Sequence, residues 1–308
     1  MEAQGIAVAE AVGLPFSLKR VRVEGPMRWL PVPLQLAVPP ARRLASVTSN
    51  EPLAPPWPRL LISIGRRSVP IALAVKRLGG AYALHIQNPK VPPRLFDLVA
   101  APVHDGLSGA NVVTTFGAVH SVTAARLAEA DERFAGEIDP LPRPRVTVLL
   151  GGASQAFSFP PADAAAFGAS LARLARACGG SLLVTPSRRT SPEALAALSA
   201  AIAQVPHRIW DGTGENPYHA YLAAADAVIV TEDSVNMVTE AAGTGKPVYV
   251  QSLAGTSRRI AHFHALMREA GATRPFAGRL ESWTYTPIND TESVARKVRQ
   301  ALGLEANP

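Results

Sequence analysis

Residues 226–250 read DAVIVTEDSVNMVTEAAGTGKPVYV, and this stretch decides the fold of the chain. Its short apolar run, Ala227–Val230, is bounded by polar residues and is typical of a strand buried on both faces. Ser234 is a good N-cap residue, so a helix is predicted from there to Ala242, with Gly243 as its stop signal. A second apolar run then begins the next strand. The stretch predicts a strand–loop–helix–strand unit of a parallel α/β sheet with a right-handed crossover.

The spacing of residues separates two faces of the predicted helix. One face can lie against a sheet and consists of Val235, Val238, Thr239 and Ala242. The other is mainly polar and consists of Asp233, Asn236, Met237 and Glu240. A polar stripe at a helix N-terminus, beyond the carboxyl end of a strand, lies where open α/β sheets bind ligands. The alternative is a face that only meets solvent, and periodicity leaves both interpretations open.

Composition limits the classes to which the protein can belong. The chain has 308 residues, 47% of them hydrophobic, which suffices for two domains of ordinary size. A single cysteine, Cys178, excludes an internal disulfide and a cysteine metal cluster and fits a reducing cytoplasm. The net charge of +7 suits phosphate recognition or contact with anionic lipid. No nucleic-acid partner is expected, because no basic run is interleaved with aromatic residues.

Strands and helices alternate from residue 59 onward and indicate parallel sheets with helices on both sides. The proline-rich segment 137–145 interrupts this alternation and is the predicted linker. We predict two Rossmann-like α/β domains that face a cleft. The N-terminal, acceptor-side domain covers 1–140 and the nucleotide-binding domain 141–286. A final helix, within 287–308, is expected to pack back towards the N-terminal domain.

The segment 25–58 is rich in proline, weakly periodic and both apolar and basic, and it is predicted to be irregular. One interpretation is a loop packed on its own domain, and the other is a surface that faces a membrane or an acceptor. No stretch of the sequence is apolar enough to span a bilayer. We therefore expect a cytoplasmic protein, with a peripheral position on the inner face of the membrane as a further hypothesis.

A phosphate-binding signal lies in the second half, where LLGGASQAF begins at Leu149. Gly151 and Gly152 follow a buried strand, so their backbone amides can approach an anion. Arg188 and Arg189 lie in the loop after the next strand, on the same sheet edge. The motif is neither the G-x-G-x-x-G fingerprint nor a Walker loop. A tight strand-to-helix connection is the alternative for the two glycines.

Metal and hydrolase motifs are missing from the sequence: it has no H-x-x-x-H, H-E-x-x-H, D-x-D or G-x-S-x-G. The expected chemistry uses neither a metal nor another cofactor. A nucleotide-sugar epimerase or other NAD enzyme is disfavoured, since G-x-G-x-x-G and Y-x-x-x-K are both absent. A general base would have to come from the N-terminal domain, where His104 and Asp105 follow a predicted strand; an ordinary turn is the alternative.

Several runs of residues together resemble a known family. GGASQA (151–156), TPSRRT (185–190) and the 226–250 stretch are similar to the bacterial members of the ELM-type mitochondrial-fission family. These are glycosyltransferase-like proteins whose plant relatives act in mitochondrial division. IGRRSVPIALAVKRLGG (64–80) and FDLVAAPVHDGLSGANVVTTFGAVH (96–120) resemble the family as well. The resemblance implies a GT-B-like fold.

GGASQA and the 226–250 stretch resemble, more remotely, the GT-B transferase that adds N-acetylglucosamine from UDP to the lipid-linked peptidoglycan precursor. That resemblance implies a Gly-Gly-Ser-Gln loop against the nucleotide, a role that falls to Gly151, Gly152, Ser154 and Gln155. It also implies that Glu240 binds the ribose, and Arg188 would supply the positive charge of a metal-free site. The remaining members of the predicted nucleotide site are Thr231, Asp233, Ser234, Asn236 and Met237.

Both families open with a strand and a glycine-bearing loop, whereas this chain begins inside its predicted first helix. We therefore expect the first N-terminal strand to be missing. The combined prediction is a metal-independent glycosyltransferase with a nucleotide-diphosphate sugar donor and a cell-envelope or lipid-linked glycan as acceptor. The alternative is a non-enzymatic GT-B-fold scaffold or recruitment protein.

Overall fold

Two compact units make up the protein in the computed structural model, which describes residues 2–304. Unit 1 consists of residues 2–121 and 289–304, and unit 2 of residues 122–288. Each unit contains its own parallel sheet, which confirms the predicted α/β class with two Rossmann-like units. Across the described residues, none of the helices combines the length and the apolar character that crossing a bilayer requires.

Unit 1 combines a parallel sheet, flanking helices and a separate strand pair. Its elements, numbered along the whole chain, are α1 (Glu2–Val12), β1 (Val21–Val23), α2 (Val32–Ala37), α3 (Pro40–Ala45), β2 (Val47–Ser49), β3 (Leu60–Ile64), α4 (Val69–Gly79), β4 (Tyr82–Ile86), β5 (Leu98–Pro102), β6 (Val112–Thr115) and α11 (Asp290–Ala301). The parallel sheet has the order β3-β4-β5-β6, and β1 pairs with β2 in antiparallel fashion.

The two faces of the unit 1 sheet carry separate cores. Leu84 of β4 shares one core with Val8 of α1 and Val298 of α11. Ala83 of β4 shares the other with Val69 of α4. Successive side chains of a strand point to opposite faces, so β4 contributes to both cores. Within residues 2–304, β3 is an edge strand that pairs only with β4.

The segment 25–58 is more regular than its sequence suggests. It contains a 3₁₀ helix (Gly25–Trp29), followed by α2, α3 and β2. Each of the three helices has a proline in its first turn, where proline lacks no hydrogen bond that the helix needs. The prediction of an irregular segment is therefore wrong for these residues, because their prolines open helices as well as breaking the apolar periodicity.

Unit 2 is a larger doubly wound sheet. Its elements are α5 (Ala124–Ile138), β7 (Arg145–Leu150), β8 (Phe157–Ser158), α6 (Pro161–Cys178), β9 (Ser181–Pro186), α7 (Pro192–Ile202), β10 (His207–Ile209), α8 (Tyr218–Ala224), β11 (Ala227–Thr231), α9 (Val235–Ala242), β12 (Val248–Gln251), β13 (Ala254–Gly255), α10 (Arg258–Glu269) and β14 (Thr273–Pro275). The main sheet has the order β10-β9-β7-β11-β12-β14 with every pairing parallel. Apolar cores cover both of its faces.

Helix α5 shifts the division between the units relative to the sequence prediction, which divided the chain after residue 140. Ala130 and Ile138 of α5 are buried together with Leu183 of β9 and Tyr221 of α8, so the helix belongs to unit 2. Thr123 caps α5 by accepting a hydrogen bond from the amide of Arg126 at 3.2 Å. Helix α5 was not predicted, because its apolar stripe is narrow among many charged residues and is stabilised only by packing on α8 and β9.

The 226–250 stretch forms the predicted strand, loop, helix and strand as β11, α9 and β12. β11 lies between β7 and β12 at the centre of the sheet, and all five of its residues are buried. The helix ends at Ala242, as predicted. Gly243, the expected left-handed stop residue, remains right-handed with φ −66°, and the left-handed residue is Gly245 with φ 73°.

Candidate functional site

Three loops of unit 2 meet at the carboxyl edge of its sheet. β7 lies between β9 and β11, with Leu150 opposite Pro186 and Leu149 opposite Val230. Because the strands are parallel, the loops that follow them leave the sheet on the same side. The site is thus built from residues 151–155, 187–190 and 231–234, which we call the carboxyl edge of unit 2.

A buried carboxylate, that of Asp233, lies at the centre of this edge. Its Oδ1 accepts a hydrogen bond from Thr231 Oγ1 at 2.7 Å, and its Oδ2 accepts one from the Gly152 amide at 3.2 Å. The Gly151 amide donates to Thr231 Oγ1 at 2.7 Å. Both amides that the sequence analysis assigns to a ligand phosphate are therefore engaged by side chains of the protein, and their role in phosphate binding stays a prediction.

Close packing within the protein explains why both positions are glycine. A Cβ on residue 151 would lie 2.1 Å from Asp233 Oδ1, and one on residue 152 would lie 2.0 Å from the Arg189 carbonyl oxygen. Both distances are far below any tolerable contact. The glycines thus leave room for the buried Asp233 carboxylate and for the 187–190 loop. This is the tight connection that was the alternative interpretation of the two glycines.

The cation that meets the buried carboxylate is Arg189. Its Nη2 lies 2.7 Å from Asp233 Oδ2, while its side chain remains 39% exposed. Arg188, the residue predicted from sequence, is exposed beside it. Two side chains tie this loop to the end of β7, since Ser187 Oγ donates to the Gly151 carbonyl at 3.1 Å and Thr190 Oγ1 to that of Leu150, also at 3.1 Å. The sequence placed both arginines in this loop, but the predicted charge-supplying role went to Arg188, because nothing local in the sequence shows which of the two meets Asp233.

The residues of the predicted polar stripe, at the start of α9, lie in different surroundings. Ser234 caps the helix, as predicted, with its Oγ accepting from the Met237 amide at 3.4 Å. Met237 packs against the core on its face of the sheet, Asn236 is exposed and Asp233 is buried. The stripe is therefore not one exposed ligand-facing surface. The nucleotide-binding roles predicted for these residues stay predictions.

Glu240 of α9 has a partner that the sequence analysis did not identify. The hydroxyl of Tyr218, the first residue of α8, donates to Glu240 Oε2 at 2.5 Å. Burial raises the pKa of Glu240, and it also raises the pKa of Tyr218 well above its ordinary value, with the nearby Glu240 carboxylate adding to the effect. The pair thus forms a half-buried hydrogen bond in which one carboxylate oxygen is already used.

Ser154 and Gln155 lie in the turn that joins β7 to β8, and both are exposed. Ser154 Oγ accepts hydrogen bonds from the amides of Ala156 and Phe157 at 3.2 and 3.1 Å, and the Ser154 amide donates to the Phe157 carbonyl at 2.9 Å. These contacts fold the turn on itself. They hold Gln155 at the tip, where its amide meets solvent.

A buried histidine supports the loop after β11. The Nε2 atom of His264, on α10, lies 2.7 Å from the Glu232 carbonyl oxygen. A carbonyl oxygen only accepts, so Nε2 carries the proton and donates the hydrogen bond. Burial lowers the pKa of His264, which favours the neutral ring. The Glu232 side chain in turn accepts from the Leu253 amide at 2.5 Å. The loop that carries Asp233 is therefore held by α10 and by the chain that follows β12.

The predicted general-base candidates belong to unit 1. His104 and Asp105 lie in a 3₁₀ helix (Val103–Asp105) after β5. The His104 side chain is buried, with its Nε2 4.0 Å from Asp105 Oδ1. Their catalytic role stays a prediction. Over residues 2–304, no group of three or more His, Cys, Asp and Glu side chains is arranged to hold a metal ion.

Comparisons with known proteins relate the whole chain to one family. The family model described as Mitochondrial fission ELM1 matches residues 1–302. The mitochondrial fission protein ELM1 of Arabidopsis thaliana is 32% identical over 274 residues, which cover 80% of this chain and 64% of the plant protein. An uncharacterized protein of Rickettsia prowazekii (strain Madrid E) is 24% identical over 291 residues, which cover 80% of each chain.

The fold is similar to that of a solved nucleotide-sugar enzyme. The UDP-GlcNAc 2-epimerase of Methanocaldococcus jannaschii superposes with a TM-score of 0.53 over 96% of this chain and 88% of that protein. The two sequences are 12% identical, so the likeness concerns the fold. It agrees with the two Rossmann-like units and the GT-B-like class predicted from sequence.

Proposed function

The chain belongs to the mitochondrial fission ELM1 family, and from its unit 2 site we propose that it is a metal-independent glycosyltransferase with a nucleotide-diphosphate sugar donor. In this proposal the acceptor is a cell-envelope or lipid-linked glycan. The observation that carries it is the Asp233–Arg189 pair, which holds a half-exposed guanidinium at the carboxyl edge of a parallel sheet. Open α/β sheets bind nucleotides at this edge.

The two arginines supply the charge that a diphosphate requires. Asp233 uses one side of the Arg189 guanidinium, which leaves its other N–H groups for phosphate oxygens. Arg188 is exposed next to it and adds a second cation. Glu240 offers its second carboxylate oxygen to ribose hydroxyls, while Tyr218 holds the first. The arginines therefore replace the metal ion that many transferases use to neutralise a diphosphate.

The proposed reaction is a single displacement at the sugar. The acceptor hydroxyl attacks the anomeric carbon and forms a new C–O bond, while the bond between that carbon and the diphosphate oxygen breaks. The nucleotide diphosphate leaves with the electron pair, and Arg188 and Arg189 stabilise its developing charge. The hydroxyl proton passes to a general base of the protein.

A non-enzymatic scaffold is the second candidate, and a specific observation favours it. The amides of Gly151 and Gly152 and one oxygen of Glu240 are all engaged by the protein itself. Because the protein's own groups already occupy these donors and acceptors, the site needs no bound ligand to be stable. The name of the Arabidopsis relative refers to mitochondrial fission, which also suits a recruitment role.

Calorimetric titration of the full chain with UDP, GDP and ADP, and with uridine as an uncharged control, separates the two candidates. UDP is the first probe, because the similar fold belongs to a UDP-GlcNAc enzyme. A transferase should bind one nucleotide diphosphate at least about tenfold more tightly than its nucleoside. Arg188→Ala should reduce that binding, whereas Arg173→Ala, an exposed arginine of α6, should not. If no nucleotide binds, the scaffold interpretation replaces the transferase.

A further inference from the structure

Unit 1 presents apolar side chains to solvent from a short stretch of chain, residues 25–37, which we call the 25–37 surface. It consists of the 3₁₀ helix Gly25–Trp29, a turn and α2. Trp29 is 75% exposed, Leu34 55% and Leu30 37%. The exposed prolines 26, 31 and 33 lie among them. A concentration of exposed large apolar side chains within a few residues is typical of an interaction site.

The backbone beneath these side chains is anchored. Met27 and Val32 are buried, and Val32 belongs to one of the two unit 1 cores. The buried Gln35 side chain donates through Nε2 to the Leu30 carbonyl at 2.8 Å. The Leu34 amide donates to the Pro31 carbonyl at 3.0 Å. The apolar side chains are therefore displayed by an ordered segment, and their exposure follows from the fold.

The charged residues within 25–50, the segment that contains this surface, are all basic. Between Glu24 and Glu51 the sequence contains three arginines and no acidic residue. Arg43 is buried and donates to the Pro70 carbonyl at 2.8 Å, whereas Arg28 and Arg42 are exposed. The guanidinium carbon of Arg28 lies 4.4 Å from the centre of the Trp29 ring, in cation–π contact.

We propose that the 25–37 surface binds an anionic lipid bilayer peripherally. Trp29, Leu30 and Leu34 enter the boundary between headgroups and acyl chains, which tryptophan favours because its ring is amphipathic. Arg28 and Arg42 meet lipid phosphates. A protein partner fits less well, since three large apolar side chains cannot fill the roughly 800 Å² that each partner buries in a stable interface. The proposal does not depend on nucleotide binding.

Co-sedimentation of the full chain with phosphatidylcholine vesicles, with and without phosphatidylglycerol, tests the proposal. Binding should require the anionic lipid. Trp29→Ser should lower the partition coefficient about tenfold, because it removes a large apolar side chain from the lipid. Arg28→Gln should lower it about fivefold, as expected for one basic residue near a charged membrane. Leu78→Ser on α4, where the leucine is 45% exposed, is the matched control and should bind like the parent.

Three results would overturn the proposal: no vesicle binding, equal binding to neutral vesicles, or an equal loss in Leu78→Ser. Thermal melts of all variants exclude unfolding as the cause of a loss. The fluorescence of Trp29, taken as the difference between the parent and Trp29→Phe, should shift to the blue on vesicle binding. Nucleotide titrations should be unchanged in Trp29→Ser, so failure of this proposal and failure of the proposed transferase give different results.

Discussion

Each unit places two adjacent arginines after a parallel strand, but only one of the two pairs meets a buried carboxylate. In unit 2 the arginines follow β9, and Arg189 binds Asp233 at 2.7 Å. In unit 1 Arg66 and Arg67 follow β3 and are both exposed. Neither of their guanidinium groups makes a hydrogen bond or ion pair within residues 2–304. The same local sequence pattern therefore gives an organised cation in one unit and solvated cations in the other.

The buried polar groups of the two sheets explain this difference. Unit 2 buries a charge, that of Asp233, which requires partners from each neighbouring strand end. Unit 1 buries a neutral pair, with Ser63 Oγ 2.9 Å from His85 Nδ1 and the His85 ring against Phe96. A neutral pair needs no counter-ion, so it does not order the arginines nearby. A buried charge thus fixes the geometry of its surroundings in a way that a neutral pair does not.

The largest expected effect is the loss of the buried carboxylate. Asp233→Ala should reduce the free energy of unfolding by roughly 2–6 kcal/mol, because it leaves two buried donors, the Gly152 amide and the Thr231 hydroxyl, without their acceptor at about 1–3 kcal/mol each. Asp163→Ala, which removes an exposed aspartate in the first turn of α6, is the control and should change it by less than about 1 kcal/mol. Urea denaturation followed by circular dichroism measures both. Equal effects of the two variants would show that the Asp233 network does not stabilise unit 2.

The neutral pair of unit 1 should respond to acid. Burial lowers the pKa of His85 to about 4, against about 6.5 in an unfolded chain. Above pH 6.5 both states are neutral and His85 has no effect. Between pH 6.5 and 4 only the unfolded state binds the proton, so stability falls as pH falls, by roughly 3 kcal/mol in total. His85→Gln should remove this part of the pH dependence of urea denaturation.

The control for this experiment is His207→Gln, which replaces a half-buried histidine of β10 in unit 2. This variant should keep the acid sensitivity of the parent. A parent whose stability is the same at pH 7 and pH 4.5 would contradict the buried neutral state of His85.

Glu240 should affect nucleotide binding more than folding. Glu240→Ala removes one charged hydrogen-bond acceptor and should weaken UDP or GDP binding about 10- to 100-fold, or roughly 1.5–3 kcal/mol. Calorimetry measures the affinity, and a thermal melt reports the fold. If the melting temperature falls and the parent binds no nucleotide, Glu240 is only the structural partner of Tyr218.

The variant Tyr218→Phe sharpens this test. It removes the hydroxyl that occupies Glu240 Oε2 but keeps the aromatic ring. If Glu240 binds ribose, nucleotide affinity should stay within about threefold of the parent, because the carboxylate itself remains. A loss as large as that of Glu240→Ala would assign the effect to the pair rather than to the carboxylate.

The smallest effect is expected for the unpaired arginines of unit 1. Arg66→Ala and Arg67→Ala should each change the free energy of unfolding by less than about 0.5 kcal/mol, as for other exposed residues. Arg189→Ala should lower it by roughly 1–3 kcal/mol, since it leaves Asp233 buried with one fewer donor. Parallel urea titrations give the three values. If Arg66→Ala lowers the free energy of unfolding as much as Arg189→Ala does, the proposed difference between the two units is wrong.

Local patterns predicted the centre of unit 2 well. The apolar run of β11, the Ser234 cap and the end of α9 at Ala242 are all confirmed. These features depend on residues within one or two turns of each other, which sequence displays directly. Helix α5 was missed because its stability depends on packing against α8 and β9, and the helices within 25–58 were missed because their prolines also resemble loop signals.

The sequence by itself determined the α/β class, the order of the main strands and helices from β7 to β12 in unit 2, and the three loops that carry polar groups at its carboxyl edge. The tertiary structure decided which groups those loops offer to a ligand. Asp233 bonds to the Gly152 amide and Arg189, and Tyr218 reaches Glu240 from 22 residues away. These contacts join residues that are distant in sequence but adjacent in the fold, at parallel strand ends for Asp233 and between α8 and α9 for Tyr218 and Glu240. The periodicity of a single segment cannot encode them, because they arise only when the sheet sets the register between strands.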